Sequence, residues 1–167
     1  MRFSQLYIDK LFSSDADPTD CVGQILNVAS CNPKLDKEFY DGIGHPLCNL
    51  HFFTYYTAEL SNGGHYQFYF NLEEGGYEFV FDALTDLGML ELKAVLTQSA
   101  SVFKLNKPPI DIQSRRSVLN SLKSPALQLL NSCDMVYYDD LMDRCEVKAK
   151  AYMHQERDWI IDFLKFD

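Results

Sequence analysis

Residues 59–71, ELSNGGHYQFYFN, are the most informative part of the chain for its fold. A run of apolar and aromatic residues leads into it, Asn62-Gly63-Gly64 interrupts it, and a second aromatic run follows. Asparagine and glycine tolerate the positive φ angles that other residues avoid. The stretch therefore predicts one helix over 46–60, opened by Pro46, and a short aromatic helix over 65–71. The two meet at a stop or a sharp bend over residues 61–64.

The remainder of the chain shows helix signals at similar spacing. Strand propensity is high in the runs HFFTYY, HYQFYF and MVYY, but each is short and lies between helix signals, so we expect helix there. We predict a mostly α fold, a single compact multi-helix domain spanning residues 1–167. Its other elements are an amphipathic N-terminal helix, a helix from Asp17-Pro18 to about Ser30, a short turn and loop over 34–44, a loop over 73–76, and helices over 77–87, 89–105, 113–123, 126–132 and 138–165, with Pro125 as a separator.

Composition excludes several classes of function. The formal net charge of -9 disfavours direct binding of nucleic acid or of anionic membranes, because phosphate recognition needs an excess of Lys and Arg. No apolar run approaches the roughly 18 residues of a membrane span. The five cysteines come without an export signal, which favours reduced thiols. We therefore expect a cytoplasmic protein with no membrane contact.

The charge is unevenly distributed along the chain. Residues 38–92 contain nine acidic residues and no Lys or Arg, whereas residues 93–133 contain six bases and one acid. Residues 134–167 contain nine acids and five bases. Such asymmetry indicates an interaction surface, although acids that cap helices and solvate outer faces would give the same counts. The basic stretch 93–133 has no evident role in the sequence.

Two rows of carboxylates recur at helical spacing. Glu78, Asp82 and Asp86 fall within a sector of about 80° on the helix over 77–87, at steps of about 6 Å. Phe79, Val80, Ala83, Leu84 and Leu87 lie mostly opposite, so the three acids should face solvent. A similar ridge is predicted on the last helix. The candidate partner-binding residues are Glu73, Glu74, Glu78, Asp82, Asp86, Glu91, Asp139, Asp140, Asp143 and Glu146.

Such rows have two interpretations. They can imitate a phosphate backbone and attract the Arg and Lys of a DNA-binding protein. They can equally be the ordinary polar face of an amphipathic helix, with like charges four residues apart tolerated at a few tenths of a kcal/mol. Reversing Glu78, Asp82 and Asp86 to Lys should leave the fold intact and abolish partner binding if the first interpretation holds.

Catalytic and metal chemistry have little support. His45, Cys48 and His51 are three residues apart, and on a helix they diverge rather than converge on a metal. Cys48, His51, His65 and Glu59 include the residue types of nucleophilic catalysis, but their spacing does not require it. Neither glycine pair matches a phosphate-binding loop. We predict no cofactor, no metal site, no catalytic residue and no enzymatic activity.

The opening stretch and its sequel resemble the signature of a bacterial family of small, acidic, all-helical DNA-mimic proteins. The signature is roughly E-x-x-N-G-G-aromatic-x-Q-aromatic, here Glu59 to Phe68, followed by the segments ALTDLG at 83–88 and ASVF at 100–103. The strong part of the resemblance spans about 59–103. His65 stands where the family usually has Phe.

The resemblance implies a homodimer that binds a helix-turn-helix transcription factor and keeps it off its operator, which is a role in transcription regulation. It does not transfer individual mimic residues, because Asn62, the glycines and the aromatics of the signature are scaffold by type. The alternatives are a helical protein-interaction or immunity module whose partner does not bind DNA, and a small hydrolase that uses Cys48 or His65.

Overall fold

The computed structural model describes residues 4–13, 15–18, 20, 22–24 and 45–164. Eight α-helices are bounded within these residues, and no strand occurs among them. They are α1 (Gln5–Leu11), α2 (Pro46–Asn71), α3 (Gly76–Asp86), α4 (Leu90–Ser99), α5 (Ile112–Asn120), α6 (Ser124–Val136), α7 (Met142–Gln155) and α8 (Arg157–Leu164). A π-helical turn, Tyr137–Leu141, joins α6 to α7.

The predicted mostly α fold, a single compact multi-helix domain, is confirmed. Residues 18, 20 and 22–24 are helical, which agrees with the helix start predicted at Pro18. The remainder of that helix and the turn predicted over 34–44 lie outside the described residues. Within the described ranges, every helix is too short or too polar to cross a membrane.

Helix α2 lies at the centre of the molecule. Its buried apolar residues lie on nearly all sides of the helix, as expected for a helix that is surrounded by others. It packs against α3, α5, α6, α7 and α8. The buried apolar residues before the bend are Leu47, Cys48, Leu50, Phe52, Phe53, Tyr56 and Leu60.

The bend predicted within this stretch is confirmed at Gly63 and Gly64, the two residues of α2 with non-helical backbone angles. Gly64 has φ 70° and ψ -167°, a region essentially reserved for glycine. A Cβ atom at Gly64 would also lie 2.6 Å from Cγ of Asp134 in α6, well inside contact distance. The position therefore requires glycine both for its backbone and for the closeness of α6.

Two predicted boundaries are wrong. The predicted helix over 89–105 ends at Ser99 and continues as the 3-10 turns Ala100–Val102 and Lys104–Asn106. The chain leaves the helix at Phe103, whose extended backbone lets its ring pack edge-on against Tyr69, with centroids 4.9 Å apart. Pro125 lies in the first turn of α6 and does not separate helices, because a proline there forfeits no helical hydrogen bond.

The predicted long helix over 138–165 is two helices, α7 and α8, that meet at Glu156. No loop precedes α7, because α6, the π-helical turn and α7 follow one another without a break in the chain. Along this run the buried residues recur mostly every four positions, slightly more than one α-helical turn. The wider π turn keeps them on the core side. They are Leu130, Cys133, Tyr137, Leu141, Cys145, Ala149 and Met153.

Candidate functional site

The α3 acidic row, which we define as Glu78, Asp82 and Asp86, lies along the outer side of α3. Asp86 is exposed and the other two are half-exposed. Val80 and Leu84, on the opposite side, are fully buried. The predicted solvent-facing placement of the three acids is confirmed, and their role in binding stays a prediction.

Two members of this row already have partners within the chain. The Glu78 carboxylate forms an ion pair with Lys107, which follows the second 3-10 turn. Asp86 Oδ2 accepts a hydrogen bond from Asn49 Nδ2 at 3.2 Å. Asp82 has neither an ion pair nor a hydrogen bond to its side chain from any described residue. Reversal of all three charges would break these contacts, so the amides Gln and Asn are the better probes.

The bases of α7 cover the turn between α3 and α4. Arg144 forms an ion pair with Glu91 in the first turn of α4. Lys148 Nζ donates to the carbonyl oxygen of Gly88 at 2.9 Å. Glu91 therefore contributes less net negative charge to this surface than the sequence indicates.

The α7 acidic row, which we define as Asp139, Asp140, Asp143 and Glu146, is exposed throughout. The sequence predicts the row on one continuous helix, whereas its first two members lie in the π-helical turn and the others in α7. Among the described residues, none bonds to these four carboxylates. The four carboxylates are unpaired within the described residues, but Lys148 and Lys150 on the same helix dilute their negative charge.

Glu73 and Glu74 are exposed in the loop between α2 and α3, and they too lack an ion pair within the described residues. Seven of the ten candidate acids are therefore free of intramolecular ion pairs and hydrogen bonds in the part of the chain described. The exceptions are Glu78, Asp86 and Glu91.

The sequence suggests no role for the basic stretch 93–133. In the structure, most of its Lys and Arg side chains bond to other groups of the same chain. Arg115 is 1% exposed, and its guanidinium donates to the carbonyl oxygens of Tyr69 (2.7 Å), Leu72, Pro109 (2.8 Å) and Ile110 (3.1 Å). The first two of these carbonyls lie at the C-terminal end of α2, where a helix leaves carbonyls without partners.

Arg116 completes the same cap. Its Nε donates to the carbonyl oxygen of Phe70 at 2.9 Å, and its guanidinium lies 4.2 Å from the centroid of the Phe70 ring. Helical periodicity does not distinguish these two arginines from surface bases, so sequence reasoning missed their function. Their position shortly after Pro108-Pro109 is a weak hint.

The signature residues hold the two halves of α2 together. Glu59 Oε2, before the bend, accepts from Gln67 Nε2 at 3.2 Å and from Asn71 Nδ2 at 2.9 Å, both after it. The Glu and the Gln of the signature are therefore partners across the bend. This explains their spacing structurally and gives neither of them a role at the protein surface.

The bend leaves backbone groups of α2 without their helical hydrogen-bond partners. Side chains of α6 and of the π-helical turn bond to these groups instead. In an uninterrupted helix the Leu60 carbonyl would accept from residue 64, and the His65 N–H would donate to residue 61. Here the Tyr138 hydroxyl donates to the Leu60 carbonyl at 2.5 Å, and the His65 N–H donates to Asp134 Oδ1 at 2.8 Å.

His65 is also the middle of a buried chain of hydrogen bonds. Its Nδ1 lies 2.5 Å from Asp134 Oδ1, and its Nε2 lies 2.8 Å from the Tyr56 hydroxyl. A carboxylate only accepts, so Nδ1 donates to Asp134, and Nε2 shares a hydrogen bond with the Tyr56 hydroxyl. Burial raises the pKa of Tyr56 well above its ordinary value, so this hydroxyl keeps its proton.

These contacts argue against the hydrolase alternative. His65 is completely buried, and both of its ring nitrogens are engaged in structure. Burial raises the pKa of the Cys48 thiol to about 11, so the thiolate needed for attack is scarce at neutral pH. Neither group is positioned to reach a substrate.

The two histidines near the start of α2, which are residues of a type that can bind metals, pack their imidazole rings against aromatic side chains. His45 lies edge-on to Trp159, with centroids 4.0 Å apart, and burial lowers its pKa to about 4. His51 packs against Phe52, and burial lowers its pKa to about 4 as well. In the described part of the chain, no three His, Cys, Asp or Glu side chains meet as metal ligands would.

The chain matches the model of a known protein family. A family model described as DMP19-like protein, where DMP19 stands for DNA mimic protein 19, matches residues 41–156, more than half of the chain. The matched region contains the bent helix, both acidic rows and the arginine cap. No curated protein and no solved structure matches the chain.

Proposed function

Because the chain belongs to the DMP19-like protein family, we propose that it is a DNA mimic that occupies the DNA-binding surface of a helix-turn-helix transcription factor. Bound there, it would keep the factor from its operator. The family implies a partner that binds DNA, and it is not a family of enzymes. The proposal places the protein in the cytoplasm of a bacterial cell, where such factors act.

The observation that supports this function best is the α7 acidic row. Its four exposed carboxylates have no intramolecular partner among the described residues and are open to a basic partner, although Lys148 and Lys150 on the same helix reduce its net charge. Asp82 on α3 and Glu73 and Glu74 in the preceding loop also lack an ion pair within the described residues. A DNA-binding surface offers Arg and Lys that normally meet phosphates, and carboxylates satisfy the same donors.

This mode of binding predicts a strong dependence on salt. Charges on a protein surface attract over a Debye length of about 10 Å at 0.1 M salt and about 3 Å at 1 M salt. Complementary charge accelerates association and selects partners of opposite sign. The bound factor should therefore be retained at low ionic strength and released at high ionic strength.

The test is affinity capture from a bacterial lysate on the immobilised protein, at about 0.05 M and about 1 M salt. Mass spectrometry then identifies the retained proteins. We expect a DNA-binding transcription factor at low salt and its loss at high salt. A variant with Asp139→Asn, Asp140→Asn, Asp143→Asn and Glu146→Gln should retain much less of it, because the amides keep the shape and remove the charge.

A matched control separates the row from net charge in general. Changing Asp9, Asp158 and Asp162, all exposed, to Asn and Glu156, half-exposed at the far end of α7, to Gln alters net charge equally away from the row. If both variants lose the factor equally, the α7 acidic row has no special role. If a partner that does not bind DNA is retained at both salt concentrations, the protein is instead an interaction or immunity module.

We further propose that the protein is a homodimer, with α6 at its interface. Met135 is 63% exposed and Leu127 and Tyr138 are about two-fifths exposed, and all three face outwards within one sector of the run from α6 into the π turn. Exposed apolar patches of this kind mark protein interfaces. Light scattering should give a dimer for the native chain and a monomer for Met135→Glu. A native monomer would contradict this assignment.

A further inference from the structure

We draw no further inference here: the strongest candidate, the cleft of about 120 Å³ between α2 and α7 beside the π-helical turn, is lined by the half-buried Thr54 and by the carboxylate of Glu146, which has Lys150 one turn further along α7, and nothing in the described part of the chain shows what would occupy it.

Discussion

The Gly64→Ala substitution tests the account of the bend most sharply. The φ and ψ of Gly64 lie in a region that costs a residue with a Cβ about 1–3 kcal/mol. The new Cβ would also push the Asp134 carboxylate away, and that carboxylate accepts from both the backbone and the ring of His65. Loss of a buried hydrogen-bond partner costs about 1–3 kcal/mol more.

The expected total is a loss of about 2–6 kcal/mol in the free energy of unfolding, against a total stability of about 5–15 kcal/mol for a typical protein. Urea denaturation followed by circular dichroism at 222 nm measures it. The matched control is Gly88→Ala, since Gly88 has φ 65° and a Cβ there meets nothing within 4 Å. It isolates the backbone cost of about 1–2 kcal/mol. If the two variants are equally destabilised, the contact between Gly64 and Asp134 contributes nothing and the reasoning fails.

Three further predictions concern the interior. Arg115→Gln should cost about 3 kcal/mol or more in urea denaturation, because it removes a charged donor from four carbonyls, and a change below 1 kcal/mol would refute the cap. Tyr56→Phe should cost about 1–3 kcal/mol by leaving the buried His65 Nε2 without its hydrogen-bond partner; an unchanged free energy of unfolding would show that this bond is dispensable. Burial raises the pKa of the thiols of Cys48, Cys133 and Cys145 to about 11, so peptide mapping after iodoacetamide at pH 8 should find all three unmodified until the chain unfolds. Rapid native labelling would contradict this.

The same thiols give a stability change with a defined sign. In the unfolded chain they ionise near pH 9.0, whereas in the folded chain they ionise near pH 11. The folded state binds more protons in this window, so the free energy of unfolding should fall as the pH rises from about 9 to about 11.

The structural features that depend only on neighbouring residues along the chain could be predicted from the sequence. The bend follows from Asn62-Gly63-Gly64, because backbone preference is local. The outward side of α3 follows from the spacing of Glu78, Asp82 and Asp86 against buried Val80 and Leu84. The end of the helix at Ser99 was not predictable in this way, because it depends on the contact between Phe103 and Tyr69 across the core.

The environment of a charged side chain could not be predicted from the sequence where its partner is distant along the chain. Glu78 and Glu91 read as free surface acids, yet Lys107 and Arg144 neutralise them from other segments. Arg115 reads as a surface base, yet it is buried at the end of α2. Helical periodicity gives the direction of a side chain from its helix, and only tertiary packing decides what lies there.

If the protein is a DNA mimic, it and DNA compete for one surface of the same partner. Elution of the captured proteins with a short DNA duplex, at constant ionic strength, measures this competition directly. We expect the duplex to release the transcription factor retained at low salt, and an equal charge concentration of a simple salt to leave it bound. A captured factor that stays bound in the presence of excess duplex would show that this protein does not occupy the DNA-binding surface.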